Sequence, residues 1–319
     1  MNSEVLMPVA TAFLYVAAGL VMLVGGGEVL VSGATRLAKR LGMTTLMIGL
    51  TVVAFGTSVP ELFVSITASL NGHPDIMVGN IVGSNIANIG LILGLSAMVR
   101  RLEMTLTEVW NELLIVVAGS VVLIICSSLG HFPRPVGLVF ILILISYTYF
   151  AVKNQKNNSG SYQNGEQTGK PSLPLALPIL FILGGLILLN FGSDVFIKGA
   201  ADLARHFGIS ELVIGLTLAA IGTSLPELAS SLSALRRNES GLLIGNVIGS
   251  NMFNLFMVMG LTGIIFPFSL SNKLLLRDLP VMIGFTLALV AILLHAKGTN
   301  RWHGLLFFIA YIIYCFSLF

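Results

Sequence analysis

Charge is scarce in this 319-residue chain: Asp, Glu, Lys and Arg make up 10% of it, against roughly 25% in an ordinary soluble domain. Hydrophobic residues make up 55% and the mean hydropathy is +0.95. A water-bathed globular surface is therefore excluded, and the chain reads as an integral membrane protein. Cysteine is nearly absent. Cys126 and Cys315 both sit in apolar segments, which excludes a disulfide framework or a thiolate cluster. A net charge of +3 is too small to point to nucleic acid, and no Gly-rich phosphate loop with its Lys occurs, so neither a nucleotide site nor another cofactor is expected. No basic stretch precedes the first apolar run, so residues 1–23 read as part of a mature span rather than a cleaved leader.

What is present is a series of apolar runs. Ten spans are expected, near residues 8–33, 44–70, 75–99, 105–128, 134–152, 174–200, 210–235, 241–266, 276–295 and 302–318. With strict alternation, twelve Lys and Arg residues fall on one side (Arg36, Lys39, Arg40, Arg100, Arg101, Lys153, Lys156, Lys170, Arg236, Arg237, Lys297, Arg301) and five on the other (Arg134, Lys198, Arg205, Lys273, Arg277). The richer side is expected to be cytoplasmic and both termini extracytoplasmic. Residues 154–173 are polar and rich in Asn, Gly and Ser, a connecting linker between a first repeat, 1–153, and a second, 174–319.

That division rests on a duplication. TVVAFGTSVPE, Thr51 to Glu61, returns as TLAAIGTSLPE, Thr217 to Glu227. GNIVGSNIAN, Gly79 to Asn88, returns as GNVIGSNMFN, Gly245 to Asn254, again 166 residues on. Five spans per copy is an odd number, so the two copies are expected to lie inverted in the membrane with their motifs facing near the midplane.

The motifs put chemistry where lipid tolerates little. A carboxylate in hydrocarbon is costly, so Glu61 and Glu227 call for a cation, a proton or a watery cavity. Pro60 and Pro226 lack an amide hydrogen and crowd the carbonyl four residues earlier, so each helix must bend or break there and release backbone oxygens. Thr57 lies one turn before Glu61, so its hydroxyl, that of Ser58 and the carboxylate can converge; Thr223, Ser224 and Glu227 repeat the set. Ser84 with Asn88, and Ser250 with Asn254, each present a hydroxyl and an amide oxygen on one face. Gly79, Gly83, Gly245 and Gly249 are expected to let backbones approach closely. Oxygen donors without sulfur or imidazole suit calcium or sodium rather than zinc or copper. Glu28 and Asp194, equivalent residues of the first span in each half, are expected near an entrance or helix end. An intramembrane serine hydrolase at GTSVP or GTSLP lacks a base, because His73, His131, His206, His295 and His303 fall at or near span ends and none repeats with the motifs.

The paired GTSxPE and GNxxGSNxxN segments resemble the alpha repeats of the cation/calcium exchanger superfamily, especially prokaryotic sodium/calcium exchangers, over essentially the whole chain. The resemblance implies an all-α membrane protein of ten transmembrane helices in two inverted five-helix repeats. It also implies a secondary transporter rather than an enzyme: a sodium/calcium antiporter of the plasma (inner) membrane with a monomeric transport unit and alternating access, its first and sixth spans sliding against the rest. Its ligands map onto Glu61 and Glu227 as central carboxylates, onto Thr57, Ser58, Thr223, Ser224, Ser84 and Ser250, onto Asn88 as an amide ligand, and onto the carbonyls of Ala54 and Ala220. Asn254 departs from the pattern, since well-studied sodium/calcium exchangers carry Asp there. Two central carboxylates rather than three leave proton/calcium antiport, or a potassium-dependent sodium/calcium exchange, as alternatives.

Overall fold

The computed structural model describes residues 7–159, 174–209, 222–270 and 274–318. Its described residues form helices α1 (Val9–Leu41), α2 (Thr45–Leu70), α3 (Pro74–Val99), α4 (Leu106–Ser128), α5 (Arg134–Ser159), α6 (Ala176–His206), α7 (Leu225–Arg236), α8 (Ser240–Ile265), α9 (Leu274–His295) and α10 (Arg301–Ser317). Eight of them, all but α7 and α10, are long and apolar enough to cross a membrane. The first part of the expected seventh span, residues 210–221, lies outside the described residues, as do Lys170 and Lys273.

Among the described residues the fold is helical apart from one small sheet, and a lone bridge, that the sequence reading did not anticipate. Strand β1 (His131–Phe132) pairs antiparallel with β2 (Phe268–Ser269), and Leu102 forms a lone bridge with Thr299. These pairings join loops from different halves and satisfy backbone groups that a membrane protein cannot leave unpaired. The linker is also shorter than expected, because residues 154–159 continue α5.

Two helices outrun their apolar stretches. The first reaches Leu41 and carries Lys39 and Arg40 in its last turn, while α6 reaches His206 with Arg205 and His206 in its own. Cations there favour the negative end of the helix dipole, which prolongs the helix past the point where hydropathy fades. These two helices pack along each other through glycines seven residues apart: Gly19, Gly26 and Gly33 on α1, and Gly185, Gly192 and Gly199 on α6. A β-carbon on Gly26 would stand 2.9 Å from the Leu189 nitrogen, and one on Gly192 would stand 2.9 Å from Met22 Cβ. Small residues at such a seam let backbones touch, the usual means of helix association in lipid.

Inside lies α8, buried along its whole apolar stretch, beside the largely buried α2 and α3. A β-carbon on Gly249 would come within 2.7 Å of the Leu50 oxygen, and one on Gly245 within 2.7 Å of the Leu50 nitrogen. Close approach at these two glycines is as expected. At Gly79 and Gly83 no described atom lies within 4 Å of such a carbon, so the described residues give the first copy no matching contact.

A candidate cation site between the two halves

Helix α2 is not regular. It passes through a π-helical turn at Gly49–Val53, a short α turn at Ala54–Thr57, and a break at Ser58 (φ −84°, ψ 1°) before resuming at Val59. The same break stands at Ser224 (φ −89°, ψ 0°), where α7 begins. Pro60 and Pro226 sit in the first turn after each break, where a missing N–H costs least. Further π-helical turns, Asn88–Leu93 in α3 and Asn254–Val258 in α8, start at the last residue of each GNxxGSNxxN motif. Such turns insert one residue into the helical ladder and concentrate at functional sites.

These breaks bring the two halves' side chains together. Glu61 is 0% and Glu227 1% exposed, and neither carboxyl oxygen of either has a hydrogen-bond partner among the described residues. Each lies within the other's electrostatic reach, and the Thr57 hydroxyl of the first half stands beside the Glu227 carboxyl of the second. Thr57, Ser58, Ser84, Asn88, Ser224, Ser250, Asn254 and Ala54 are buried as well, while Thr223 is half-buried. The Ser58 hydroxyl and the Asn88 Oδ1 also lack partners. Unpaired buried charge costs several kcal/mol per group, so this cluster of oxygens is built to meet something positive.

A second layer, missed in the sequence reading, holds the first in place. Asn80 donates to the Glu61 carbonyl (3.3 Å) and the Ser65 hydroxyl (3.2 Å). Asn246 donates to the Ser230 (3.0 Å) and Ser231 (3.2 Å) hydroxyls and lies 3.5 Å from the Glu227 carbonyl. The Thr57 hydroxyl then donates across to Asn246 Oδ1 (3.1 Å), and the Thr223 hydroxyl donates across to Asn80 Oδ1 (3.2 Å). Thr57 also lies 3.4 Å from Ser250, and Ser224 donates to Ser84 at 3.4 Å. Each half thus braces the threonine of the other. Repetition could have found these residues: Asn80 and Asn246, like Ser65 and Ser231, are 166 positions apart.

The twofold likeness fails at three places. Asn88 Nδ2 donates to Asn251 Oδ1 at 2.9 Å, which leaves Asn88 Oδ1 as a fixed acceptor. At Asn254, neither side-chain atom has a described partner, and Asn85 Oδ1 has none either. The carbonyl of Gly222, freed by Pro226, does not point to an ion but accepts from the Ser193 hydroxyl at 2.7 Å; the equivalent of Ser193 is Gly27, which has no hydroxyl. The Ala54 carbonyl is partly engaged, accepting from Ser58 N–H at 3.0 Å and more loosely from the Thr57 hydroxyl at 3.4 Å. Ala220 lies outside the described residues. Glu28 is not at a helix end: it sits inside α1 and pairs with Arg237 (2.7 Å) and Arg236 (3.6 Å) at the end of α7. Its equivalent Asp194 is exposed, mid-way along α6.

Among the described residues no three of His, Cys, Asp and Glu converge, so the donor set is two carboxylates with neutral oxygens, suited to a hard cation. Fold and site together define a class: a multi-pass membrane protein whose buried centre, between two broken helices, gathers oxygen ligands around a carboxylate pair. The chain belongs to the sodium/calcium exchanger protein family, whose profile matches residues 11–153 and again 177–319. The inner membrane protein YrbG of Escherichia coli is 36% identical over 282 residues, covering 87% of this chain and 86% of its own. The sodium/calcium exchanger MaX1 of Methanosarcina acetivorans is 31% identical over 350 residues, covering 96% and 99%. The solved structure of the sodium-calcium exchanger NCX_Mj soaked with 10 mM Na+ and zero Ca2+ matches with a TM-score of 0.84 and 31% identity, covering 98% of this chain and 100% of that one.

Proposed function

We propose that this protein is a sodium/calcium antiporter working by alternating access, with Glu61 and Glu227 as the central ligands of the transported ion. The observation that carries the reading is the pair of buried, unpartnered carboxylates, one from each half. Two negative charges balance one calcium ion or two sodium ions. The same site without a cation is strongly disfavoured in a dehydrated, occluded state, so the protein crosses that state only when loaded, and exchange is coupled. Thr57, Ser58, Thr223, Ser224, Ser84, Ser250, Asn88 and Asn254 complete the proposed ligand set, with the carbonyl of Ala54 and, outside the described residues, that of Ala220.

The architecture we assign is ten transmembrane helices in two inverted repeats, 1–153 and 174–319, joined by a cytoplasmic linker. The charge asymmetry of the loops supports an inner-membrane topology with both termini outside. Pairings between the halves support the inversion: Leu102 with Thr299 on one side answers Phe132 with Phe268 on the other, each pair displaced by about one repeat. The glycine seam holds α1 and α6 closely against each other, so that the pair can slide past the core as one unit.

Proton/calcium exchange is the second reading, favoured by Asn254. With only two carboxylates in the site, two protons suffice to discharge it. The deciding experiment is calcium uptake into proteoliposomes loaded with sodium, repeated with potassium added and repeated with a pH gradient and no sodium. Uptake that needs internal sodium supports the proposal, and uptake driven by the proton gradient alone replaces it with the second reading.

A further inference from the structure

A second buried carboxylate lies away from the site, and the protein's own duplication shows what it lacks. Glu112, on α4, is 6% exposed and accepts a hydrogen bond from the Tyr147 hydroxyl on α5. Its counterpart in the second half is Asp278, on α9, which accepts from the Tyr314 hydroxyl of α10 at 3.3 Å; the tyrosines are one residue out of register with the 166-residue repeat. Asp278 has its own cation, because Arg277 donates to it through Nε at 2.7 Å and Nη2 at 3.4 Å. The residue equivalent to Arg277 is Asn111. Among the described residues Glu112 forms no ion pair, and Tyr147 is its one hydrogen-bond partner.

Glu112 borders a groove of about 830 Å3, whereas in the second half it is Arg277 and Tyr314, the partners of Asp278, that border one of about 680 Å3. The Glu112 groove is polar at the end that holds Thr107, Asn111, Ser146 and Asn154, together with Glu108, whose carboxylate accepts from the Thr105 backbone and hydroxyl at the start of the helix. It turns apolar along Leu114, Val139 and Leu142, and an adjoining cleft lined by Val122, Val136 and Phe256 continues it. Glu112 lies six residues into α4, roughly 9 Å along the helix from its start at 1.5 Å per residue, within a helix long and apolar enough to cross a membrane. Free water is scarce there, so an uncompensated carboxylate is costly.

We propose that this groove binds a phospholipid with a primary ammonium headgroup, an ethanolamine phospholipid. The ammonium donates to Glu112 in the place that Arg277 takes in the other half. The phosphate accepts from the amide and hydroxyl donors of Asn111, Thr107 and Ser146, and an acyl chain follows the apolar run. A choline headgroup has no N–H to donate, and a glycerol headgroup brings no cation.

The test is native mass spectrometry of the full-length protein titrated with phosphatidylethanolamine, phosphatidylcholine and phosphatidylglycerol of identical chains, for wild type, Glu112→Gln and Asn111→Arg. Wild type is expected to retain the ethanolamine lipid on the order of ten-fold better than the other two, the worth of one charged hydrogen bond. Both substitutions should abolish the preference, Asn111→Arg by installing the second half's cation without removing the acid, which keeps the test valid if Glu112→Gln folds poorly. Equal retention of the three lipids, or an ethanolamine preference that survives Asn111→Arg, overturns the assignment.

Discussion

Changing Glu61 to Gln removes one negative charge from a site that holds two, with almost no change in shape. The carboxyl groups of Glu61 and Glu227 are fully buried and have no described partner that could share their charge, so a bound divalent cation has only these two to balance it. Leaving one unit of that charge uncompensated in the interior costs about 3–5 kcal/mol, or roughly two to three and a half decades in calcium affinity at ~1.4 kcal/mol per decade. A single sodium ion is still balanced by the remaining carboxylate, so its affinity should fall by about ten-fold or less. Glu227→Gln should behave alike, since its carboxyl is as deeply buried and as unpartnered as that of Glu61. Calcium and sodium titration calorimetry on purified, monodisperse protein measures both losses, and calcium uptake by proteoliposomes reports transport. Calcium affinity within about ten-fold of wild type in both variants would falsify the charge-balance argument, as would an equal loss for the two ions.

Asn254→Asp should preserve exchange while altering the dependence of calcium uptake on sodium concentration, because it adds a third carboxylate where the existing amide has no described partner; an unchanged sodium response would show that this position does not set the coupling. Gly26→Ala should slow exchange several-fold while leaving equilibrium calcium binding within about two-fold, because its new methyl would meet the Leu189 nitrogen at 2.9 Å and overpacking costs typically 1–3 kcal/mol. Gly25→Ala, where no described atom lies within 4 Å, is the control, and equal transport rates in the two variants would remove the sliding seam from the mechanism.

The parts of this molecule that were legible in the sequence are those written in side-chain type. Apolar runs marked the described helices, with most of their ends to within a few residues, and repetition singled out Glu61, Glu227 and their neighbours. What stayed hidden depends on the backbone or on contacts between distant residues. The π-helical turns at Asn88 and Asn254 are ladder shifts that no residue type announces. The ends of α1 and α6 were placed too early because hydropathy tracks the membrane, whereas a helix continues wherever its charged turns suit its dipole. Asn80 and Asn246 were passed over within motifs already singled out, because their role is to hold a threonine of the opposite half. The seven-residue spacing of Gly19, Gly26 and Gly33 was in plain view, but it gains meaning only when α6 is known to carry the matching set.

The crossed threonine–asparagine braces also bear on how the protein is made. Thr57 and the Asn246 that holds it are 189 residues apart, and a ribosome adding about 5–20 residues per second delivers the second roughly ten to forty seconds after the first. Throughout that interval the newborn first half sits in the bilayer with Glu61 and Asn80 in place but no opposing half to close over them. The buried polar groups of the first half therefore gain these partners only when the second half is made, which ties completion of the site to the later helices to be synthesised.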